Sequence, residues 1–266
     1  MMQTPVIVTF ANQKGGVGKT SLCVTFANYL VTKGVRVFVV DCDYQRSILK
    51  CRKVDSDKYG TSIIPYEVEA ASLSNPAKVT EMTARLHNDP SIEVVLIDSP
   101  GSLASEGLVA LFANSDIIVV PFHYDVVTVS STAGFLQYIN CLSDLIGQKI
   151  RARLFIVPNL HDHRIGRRSE LLLWEVARDT FMRYGTVTPK ITRRADMERF
   201  STIAALDRQL KIVSPVFDLI YYSIFDRYEP LRQYTLTGIQ LTEFVEQIEK
   251  ENSKKEEAGK NDKYND

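Results

Sequence analysis

The chain has 266 residues, of which 45% are hydrophobic and 24% charged, a composition typical of a globular protein with one large α/β core. Its 32 Lys and Arg residues balance 32 Asp and Glu residues, which argues against a uniformly basic nucleic-acid binder but not against a local basic patch. No apolar run approaches the ~20 residues that cross a bilayer, and a strand begins too close to the N-terminus for a signal peptide. The four cysteines form no Cys-x-x-Cys pair, so we expect reduced, buried thiols rather than a zinc or redox site.

Short β-branched runs alternate with longer helical stretches up to Pro189, which predicts an α/β fold: a doubly wound, mostly parallel sheet flanked by helices. The predicted strands are nearly continuous apolar runs, as expected of parallel strands buried on both faces: Val6–Ala11, Arg36–Val40, Val94–Asp98, Ile117–Pro121 and Leu154–Val157. The predicted helices are Ser21–Thr32, Pro76–His87, Ser105–Ala113, Val129–Gly147 and Arg168–Tyr184. In such a sheet, ligands bind beyond the carboxyl ends of the strands.

Beyond Pro189 the alternation weakens. The aromatic and aliphatic residues of Leu210–Tyr234 predict a helix pair that caps the core, with a partner-binding surface as the alternative. One apolar face over Thr237–Lys250 predicts a final amphipathic helix, and the polar residues 251–266 predict a disordered tail. We therefore expect a single domain over residues 1–250, followed by that tail.

A glycine-rich loop, Gln13 to Thr20, lies between the first predicted strand and the first predicted helix, the context that a phosphate-binding loop requires. Glycines let main-chain N–H groups close around phosphate oxygens, and the helix N-terminus adds partial positive charge. Lys19 can reach the β- and γ-phosphates, and the Thr20 hydroxyl can bind Mg²⁺. The expected cofactors are therefore ATP and Mg²⁺, with the nucleotide held by Gly15, Gly16, Val17, Gly18, Lys19, Thr20 and Ser21.

Two features depart from the ordinary phosphate-binding loop: Gln13 replaces a glycine, and Lys14 adds a lysine early in the loop. With this change, Lys-Gly-Gly-Val-Gly-Lys-Thr resembles the deviant Walker A motif of the ParA/MinD ATPases. Asp41-Cys42-Asp43-Tyr44-Gln45 is similar to that family's switch I, and Asp98-Ser99-Pro100-Gly101 to its Walker B and switch II. The resemblance covers about the first two thirds of the chain specifically and the last third loosely. It implies a P-loop NTPase fold of the SIMIBI type, closest to ParA-type partition ATPases without an N-terminal helix-turn-helix domain.

The resemblance also implies roles for three carboxylates. Asp98 follows a buried strand, where such an aspartate holds Mg²⁺. Asp43 matches the residue that positions the attacking water, and Asp41 matches one that supports the Mg²⁺ and its loops. The alternative for Asp41 is a helix cap. Tyr44 and Gly101 stand where the family has proline, so we expect both switch loops to be more mobile than usual.

Lys14, Lys19 and Asp43 are the predicted catalytic residues. By resemblance, Lys14 crosses to the nucleotide of the second subunit in an ATP-dependent homodimer and neutralises charge there, as an arginine finger does. Asn159 follows a predicted strand, as the family's adenine-contacting asparagine does. The alternative for Asn159 is a turn residue.

Basic residues gather late in the chain. ParA-like ATPases bind DNA non-specifically through scattered arginines, and we expect Arg193 and Arg194 to serve here, with Arg167 and Arg168 as the alternative. A solvated surface is the plainer interpretation.

The sequence thus predicts a ParA-like ATPase for partition of plasmid, chromosome or mobile-element DNA. Its expected partners are a second copy, non-specific DNA and a ParB-like centromere-binding protein; its expected location is cytoplasmic, on the nucleoid when ATP is bound. A MinD-like membrane ATPase is the first alternative, disfavoured because residues 251–266 are polar on every face. A metabolic P-loop ATPase of the same superfamily is the second.

Overall fold

The computed structural model describes residues 4–145, 150–162, 164, 166 and 168–225, and it contains one seven-stranded sheet in which every strand is parallel to its neighbours. The strands are β1 Val6–Phe10, β2 Val37–Asp41, β3 Glu67–Ala70, β4 Val94–Asp98, β5 Ile117–Phe122, β6 Arg153–Pro158 and β7 Thr186–Val187. The α-helices are α1 Lys19–Thr32, α2 Ser47–Tyr59, α3 Pro76–His87, α4 Leu108–Ala113, α5 Val126–Leu145, α6 Arg168–Phe181 and α7 Asp207–Phe225. Two short 3₁₀ helices span Thr61–Ile63 and Ala195–Glu198.

The strand order β3-β2-β4-β1-β5-β6-β7 confirms the predicted doubly wound α/β sheet. Helices cover both faces, because successive residues of a strand point to opposite sides. Ile7, on β1, packs into the layer formed with α3, α4, α5 and α6. Its neighbour Val8 packs into the other layer, with α1 and α7. The central strands are therefore apolar at nearly every position.

The strands that follow β1 in the chain lie on both sides of it: β2, β3 and β4 on one side, and β5, β6 and β7 on the other. A crevice opens at such a point, outside the carboxyl ends of the strands. The glycine-rich loop leaves β1 here, and Asp41 and Asp98 end the neighbouring strands β2 and β4 as register partners. The sheet thus brings the three sequence motifs to one edge.

Three elements were not predicted from the sequence: α2, β3 and β7. The starts of α1, α4 and α5 also differ from prediction, and α1 begins at Lys19 rather than Ser21. Helix α5 begins at Val126 because Asp125 accepts a hydrogen bond from the Thr128 amide at 2.9 Å, whereas α4 begins only at Leu108 because the Gly107 amide bonds to the carbonyl of Leu73.

Helix α7 forms part of the predicted core-capping helix pair. It packs on α1, where the Phe217 ring lies 4.8 Å from that of Phe26 and 5.5 Å from that of Tyr29. The rest of Leu210–Tyr234, the predicted helix Thr237–Lys250 and the predicted tail at 251–266 lie outside the described residues. The extent of the domain beyond Phe225 stays a prediction.

Two further expectations concern cysteines and membranes. Cys23 and Cys42 are buried as expected, but Cys51 is half-buried and Cys141 is exposed, so the expectation of buried thiols holds for only two of them. Within the part of the chain that the structure describes, no helix combines the length and apolar character needed to cross a membrane.

Candidate nucleotide-binding site

The start of the glycine-rich loop is fixed by two amide side chains. The Asn12 side chain donates to the carbonyl of Pro121 and to the Thr132 hydroxyl, each at 2.9 Å, and it is buried. The Gln13 side chain donates to the carbonyl of Ser131 at 2.8 Å. Gln13, the residue that departs from the ordinary motif, therefore anchors the loop to α5. Sequence reasoning missed both anchors, because their partners lie more than a hundred residues away.

The glycines leave an open concave space in front of α1. Gly16 and Gly18 have φ values of +78° and +90°, which favour glycine strongly. A Cβ placed on Gly15 or Gly16 would meet nothing within 4 Å. Helix α1 begins at Lys19, and no side chain caps its first turn. Its first N–H groups are thus available to an anion, as phosphate binding requires.

Lys19 crosses this space with a largely buried side chain. Its Nζ donates to the carbonyl of Lys14 at 3.1 Å. Burial lowers the pKa of Lys19, and the charges of Asp98 and Asp43 oppose that shift. A Cβ on Gly101 would lie 3.4 Å from Nζ, so the switch II motif reaches the same point. Lys19, Asp43 and Asp98 therefore form one electrostatic cluster.

The pair Thr20 and Asp98 fits a magnesium ion. Thr20 and Ser21 lie in the first turn of α1, and the Thr20 hydroxyl donates to Oδ2 of Asp98 at 2.7 Å. Asp98 is fully buried, its Oδ1 has no hydrogen-bond partner in the described chain, and burial raises its pKa to about 7. An unpartnered buried carboxylate oxygen beside a hydroxyl is suited to Mg²⁺, which takes one or two carboxylates plus phosphate oxygens. The described residues contain no group of three or more His, Cys, Asp or Glu side chains placed to hold a metal without a nucleotide.

Asp98→Asn is expected to stabilise the protein without nucleotide and Mg²⁺. The folded pKa of about 7 lies above the ordinary 3.8, so Asp98 costs stability as pH rises from about 4 to 7. The variant's melting temperature should exceed that of wild type by about 5 °C at pH 8, with the gap shrinking toward pH 4. Thermal unfolding across this pH range checks it. The exposed Asp57→Asn is the control, and equal, pH-independent curves for Asp98→Asn and wild type would contradict the assignment.

Asp41 is bonded as a helix cap. Its Oδ2 accepts from the amides of Ile48 and Leu49 at 3.0 and 3.2 Å, in the first turn of α2, and Oδ1 accepts from the Asp43 amide at 3.3 Å. The Arg46 side chain donates to the main-chain carbonyl of Asp41. Burial raises the pKa of the Asp41 carboxyl. These bonds favour the cap alternative, and a role for Asp41 at Mg²⁺ stays a prediction.

Asp43 lies in the turn after β2, half-exposed, with Oδ1 accepting from the Gln45 amide at 2.8 Å. Asp41 and Asp43 thus have different bonds, as their spacing predicts. Tyr44, between Asp43 and the start of α2, is 72% exposed. Its hydroxyl lies 3.1 Å from that of Ser105. This contact joins the first switch to the loop after the second, a link that proline at position 44 could not make.

Asn159 braces the phosphate loop from β6. Its side-chain amide donates to the carbonyl of Val17 at 2.9 Å, and its own N–H bonds to the carbonyl of Phe122 at 2.7 Å. A Cβ on Gly18 would lie 2.3 Å from Nδ2 of Asn159, so only glycine fits there. Asn159 is therefore more than a turn residue, and its contact with adenine stays a prediction.

Arg193 and Arg194 are exposed and share a groove with Arg164. Acidic residues interleave with them. Arg164 forms a two-point pair with Asp162 at 2.7 and 2.9 Å, and Arg193 lies 3.7 Å from Glu198. The groove is thus basic but partly neutralised within itself.

The alternative arginines are less fully described. Arg168 begins α6, but the structure does not describe its side chain, and Arg167 lies outside the described residues. Their role stays a prediction.

Comparison with known proteins agrees with this geometry. A family model described as the CobQ/CobB/MinD/ParA nucleotide binding domain matches residues 8–258. The chromosome-partitioning ATPase Soj of Thermus thermophilus is 26% identical over 223 residues, covering 74% of this chain and 86% of Soj.

Solved structures show the same fold. A plasmid partition protein from Borrelia burgdorferi bound to AMPPNP superposes with a TM-score of 0.62 at 19% identity, covering 83% of this chain and 100% of that one. MinD in the MinC:MinD cell division complex of Aquifex aeolicus gives 0.62 at 15% identity, covering 86% and 100%. At these identities the structures establish architecture alone. The family match, which spans most of the chain and all three motifs, establishes that the chain belongs to the CobQ/CobB/MinD/ParA family of nucleotide-binding domains.

Proposed function

We propose that this protein is a ParA-like ATPase that dimerises on ATP, binds DNA non-specifically and leaves DNA after hydrolysis. The observation that carries the proposal is the arrangement of two lysines in one loop. Lys19 is buried and its Nζ is bound to the main-chain carbonyl of Lys14. The Lys14 side chain is half-exposed and has no ion pair among the described residues, so it is free to serve a facing subunit.

The residues supply charge and position rather than covalent chemistry. The cradle from Gly15 to Thr20 holds the phosphates, and Lys19 neutralises them. Thr20 and Asp98 would hold Mg²⁺, which would supply charge stabilisation of the transferring phosphoryl group. Asp43 orients water, and the partner subunit's Lys14 would stabilise charge that develops only in the transition state. Hydrolysis would then depend on dimerisation.

The partition role is supported by the similarity to Soj, a chromosome-partitioning ATPase. A dimer formed with ATP would present two sets of these exposed arginines to DNA. A ParB-like partner would stimulate hydrolysis and release. The protein would then be cytoplasmic and associated with the nucleoid only while ATP is bound.

The test is retention of the purified protein on non-specific DNA at low salt, with ATP, with ADP and without nucleotide. Retention with ATP alone is expected. The same protein is mixed with liposomes of anionic lipid. ATP-dependent binding to liposomes but not to DNA would replace the proposal with a MinD-like function. ATP binding with neither activity would favour a metabolic ATPase.

Arg193→Ala combined with Arg194→Ala is expected to weaken DNA binding and reduce its salt dependence. Each lost phosphate contact should lower the slope of log affinity against log salt by about one unit. ATP turnover without DNA should stay near the wild-type rate. Filter binding or fluorescence anisotropy over a salt series measures the slope.

The matched control removes the same charge elsewhere. Arg36 and Arg85 are exposed and pair with Glu93 and Glu69. Their double alanine variant should keep the wild-type slope. If the variant at Arg193 and Arg194 also keeps it, the DNA contacts lie elsewhere.

A further inference from the structure

Helix α2 connects the nucleotide site with the segment that carries the proposed DNA contacts. Its first turn is capped by Asp41, the last residue of β2, through the amides of Ile48 and Leu49. The cap is buried and lies beside Asp98 in the sheet register. A movement of the switch I turn that shifts Asp41 must therefore shift the start of α2 or break its cap.

The inner face of α2 carries two charged residues beside the apolar Ile48. Arg52 and Asp55 are 7% and 8% exposed, one turn apart. Charged residues are almost never buried to this extent unless they are paired or hydrogen-bonded. We call Arg52 and Asp55 the α2 clamp.

The α2 clamp holds Thr202 by its amide, its carbonyl and its hydroxyl, and Asp55 also accepts from the Ser201 hydroxyl at 3.4 Å. Asp55 accepts from the Thr202 amide at 2.7 Å and from the Thr202 hydroxyl at 2.8 Å. Arg52 donates to the Thr202 carbonyl at 3.0 Å, with its guanidinium 4.4 Å from the centre of the Tyr66 ring. Thr202 is fully buried.

Thr202 ends a segment, residues 193–202, that we call the basic segment because it carries the exposed Arg193, Arg194 and Arg199. Its start is tied to an isolated parallel bridge just beyond β6, where the Arg193 amide bonds to the carbonyl of His161 at 2.9 Å. Its end is held by the α2 clamp. The segment therefore spans from an anchor on the sheet to an anchor on the switch I helix.

The Arg52 guanidinium is only partly satisfied. Its Nε and Nη1 have no hydrogen-bond partner in the described chain. Unsatisfied buried donors lower the stability of a protein. Stability alone therefore does not account for this face, whereas a directional attachment to Thr202 does.

We propose that the α2 clamp transmits the nucleotide state of switch I to the basic segment, so that Arg52 and Asp55 act as positioning residues for the DNA-binding arginines. The DNA part of this proposal rests on the proposed function. The first turn and the middle of α2 are held by specific buried bonds, which makes this part of the helix a rigid connection between two elements that change together. Hydrolysis at the nucleotide site then changes the placement of Arg193, Arg194 and Arg199.

The first measurement is amide hydrogen exchange of the wild-type protein with AMPPNP and with ADP. The Thr202 amide, bonded to Asp55, reports directly on the clamp. Its protection should differ by about 5-fold or more between the two nucleotides. Equal protection would overturn the proposal. This measurement requires no DNA, so it remains decisive even if the protein binds no DNA and the proposed function fails.

The second measurement uses the double variant Arg52→Met with Asp55→Leu, which replaces the charged pair by apolar side chains. ATP binding should stay near wild type, whereas the melting temperature should fall, because the buried amide, carbonyl and hydroxyl of Thr202 lose their partners. The nucleotide dependence of exchange at residues 199–201 should be lost, and the ratio of DNA affinities with ATP and ADP should fall by about 5-fold or more. Persistence of both nucleotide effects in the folded variant would overturn the proposal.

A matched pair at Thr202 covers the case in which the double variant does not fold. Thr202→Val removes only the hydroxyl that donates to Asp55, whereas Thr202→Ser keeps it. Thr202→Val should weaken the nucleotide effects and Thr202→Ser should retain them. Equal nucleotide effects in the two variants would mean that the bond from the Thr202 hydroxyl to Asp55 takes no part in the coupling, which would contradict the proposal.

Discussion

Lys19→Ala is expected to weaken ATP binding by about 100-fold or more. Its Nζ is the buried cation of the phosphate cradle, and a charged hydrogen bond in a water-poor site contributes about 3 kcal/mol, which corresponds to this factor. Burial lowers the pKa of Lys19, which means that the fold itself opposes its charge. The melting temperature without nucleotide should therefore be unchanged or higher in the variant. Calorimetric titration with ATP and Mg²⁺ measures the affinity.

Lys33→Ala is the matched control for Lys19→Ala. Lys33 follows the last residue of the same helix, at the opposite edge of the sheet, and is exposed near Asp218. Its loss should leave ATP affinity unchanged. Wild-type affinity in the folded Lys19→Ala variant would remove Lys19 from phosphate binding.

Lys14→Ala is expected to abolish ATP-dependent dimerisation and DNA retention together while monomer ATP binding persists. The Lys14 carbonyl, which accepts from Lys19, belongs to the main chain and survives the substitution. The lost side chain is the one that we expect to act on a second subunit. Light scattering and DNA retention with ATP measure the two losses.

A mixing experiment distinguishes action on the partner from action within one subunit. Asp43→Ala is expected to bind ATP but to hydrolyse it poorly, and it keeps Lys14. In a mixed dimer, the site on the Lys14→Ala subunit has its own Asp43 and receives the partner's lysine. The mixture should regain turnover that neither variant shows alone, up to about half of the wild-type rate, because each mixed dimer has one competent site. No recovery in mixtures that form mixed dimers would mean that Lys14 acts within its own subunit or not at all.

The central sheet was predictable because its strands are buried on both faces. Continuous apolar runs identify β1, β2, β4, β5 and β6 to within one residue at each end. The edge strands carry no such signal: β3 reads Glu-Val-Glu-Ala, and β7 has only two residues. Pairing with a neighbour, rather than composition, makes them strands.

Helix α2 was not predicted for a related reason. Sequence reasoning looks for an apolar stripe, and α2 buries Ile48 together with Arg52 and Asp55. The partner of Arg52 and Asp55 is Thr202, which lies 150 residues after Arg52 and 147 after Asp55. The inner face can therefore be recognised only in the folded structure.

The candidate site divides in the same way. Residues within the three motifs could be named from the sequence, because phosphate and metal binding require glycines, a lysine, a hydroxyl and a carboxylate at fixed spacing. The bonds that hold those motifs in place could not be named. The loop is fixed by Asn12, Gln13 and Asn159, which bond to β5, α5 and Val17. No local sequence pattern predicts contacts between residues so far apart in the chain.

The position of β1 at the centre of the sheet has a consequence for synthesis of the chain. β1 is made first, yet its neighbours are β4 and β5, through pairs such as Val6 with Val94 and Val8 with Ile117. At ribosomal rates, synthesis of the chain between β1 and its first partner, β4, takes on the order of 10 s. In contrast, β2 can pair earlier with its parallel neighbour β3, which follows it after the crossover through α2.

The nucleotide site is consequently completed late in folding. Only the arrival of β4 brings Asp98 beside Thr20, so ATP and Mg²⁺ bound as proposed would meet a sheet that is already assembled. We therefore expect their binding to slow unfolding of the finished protein rather than to speed its formation.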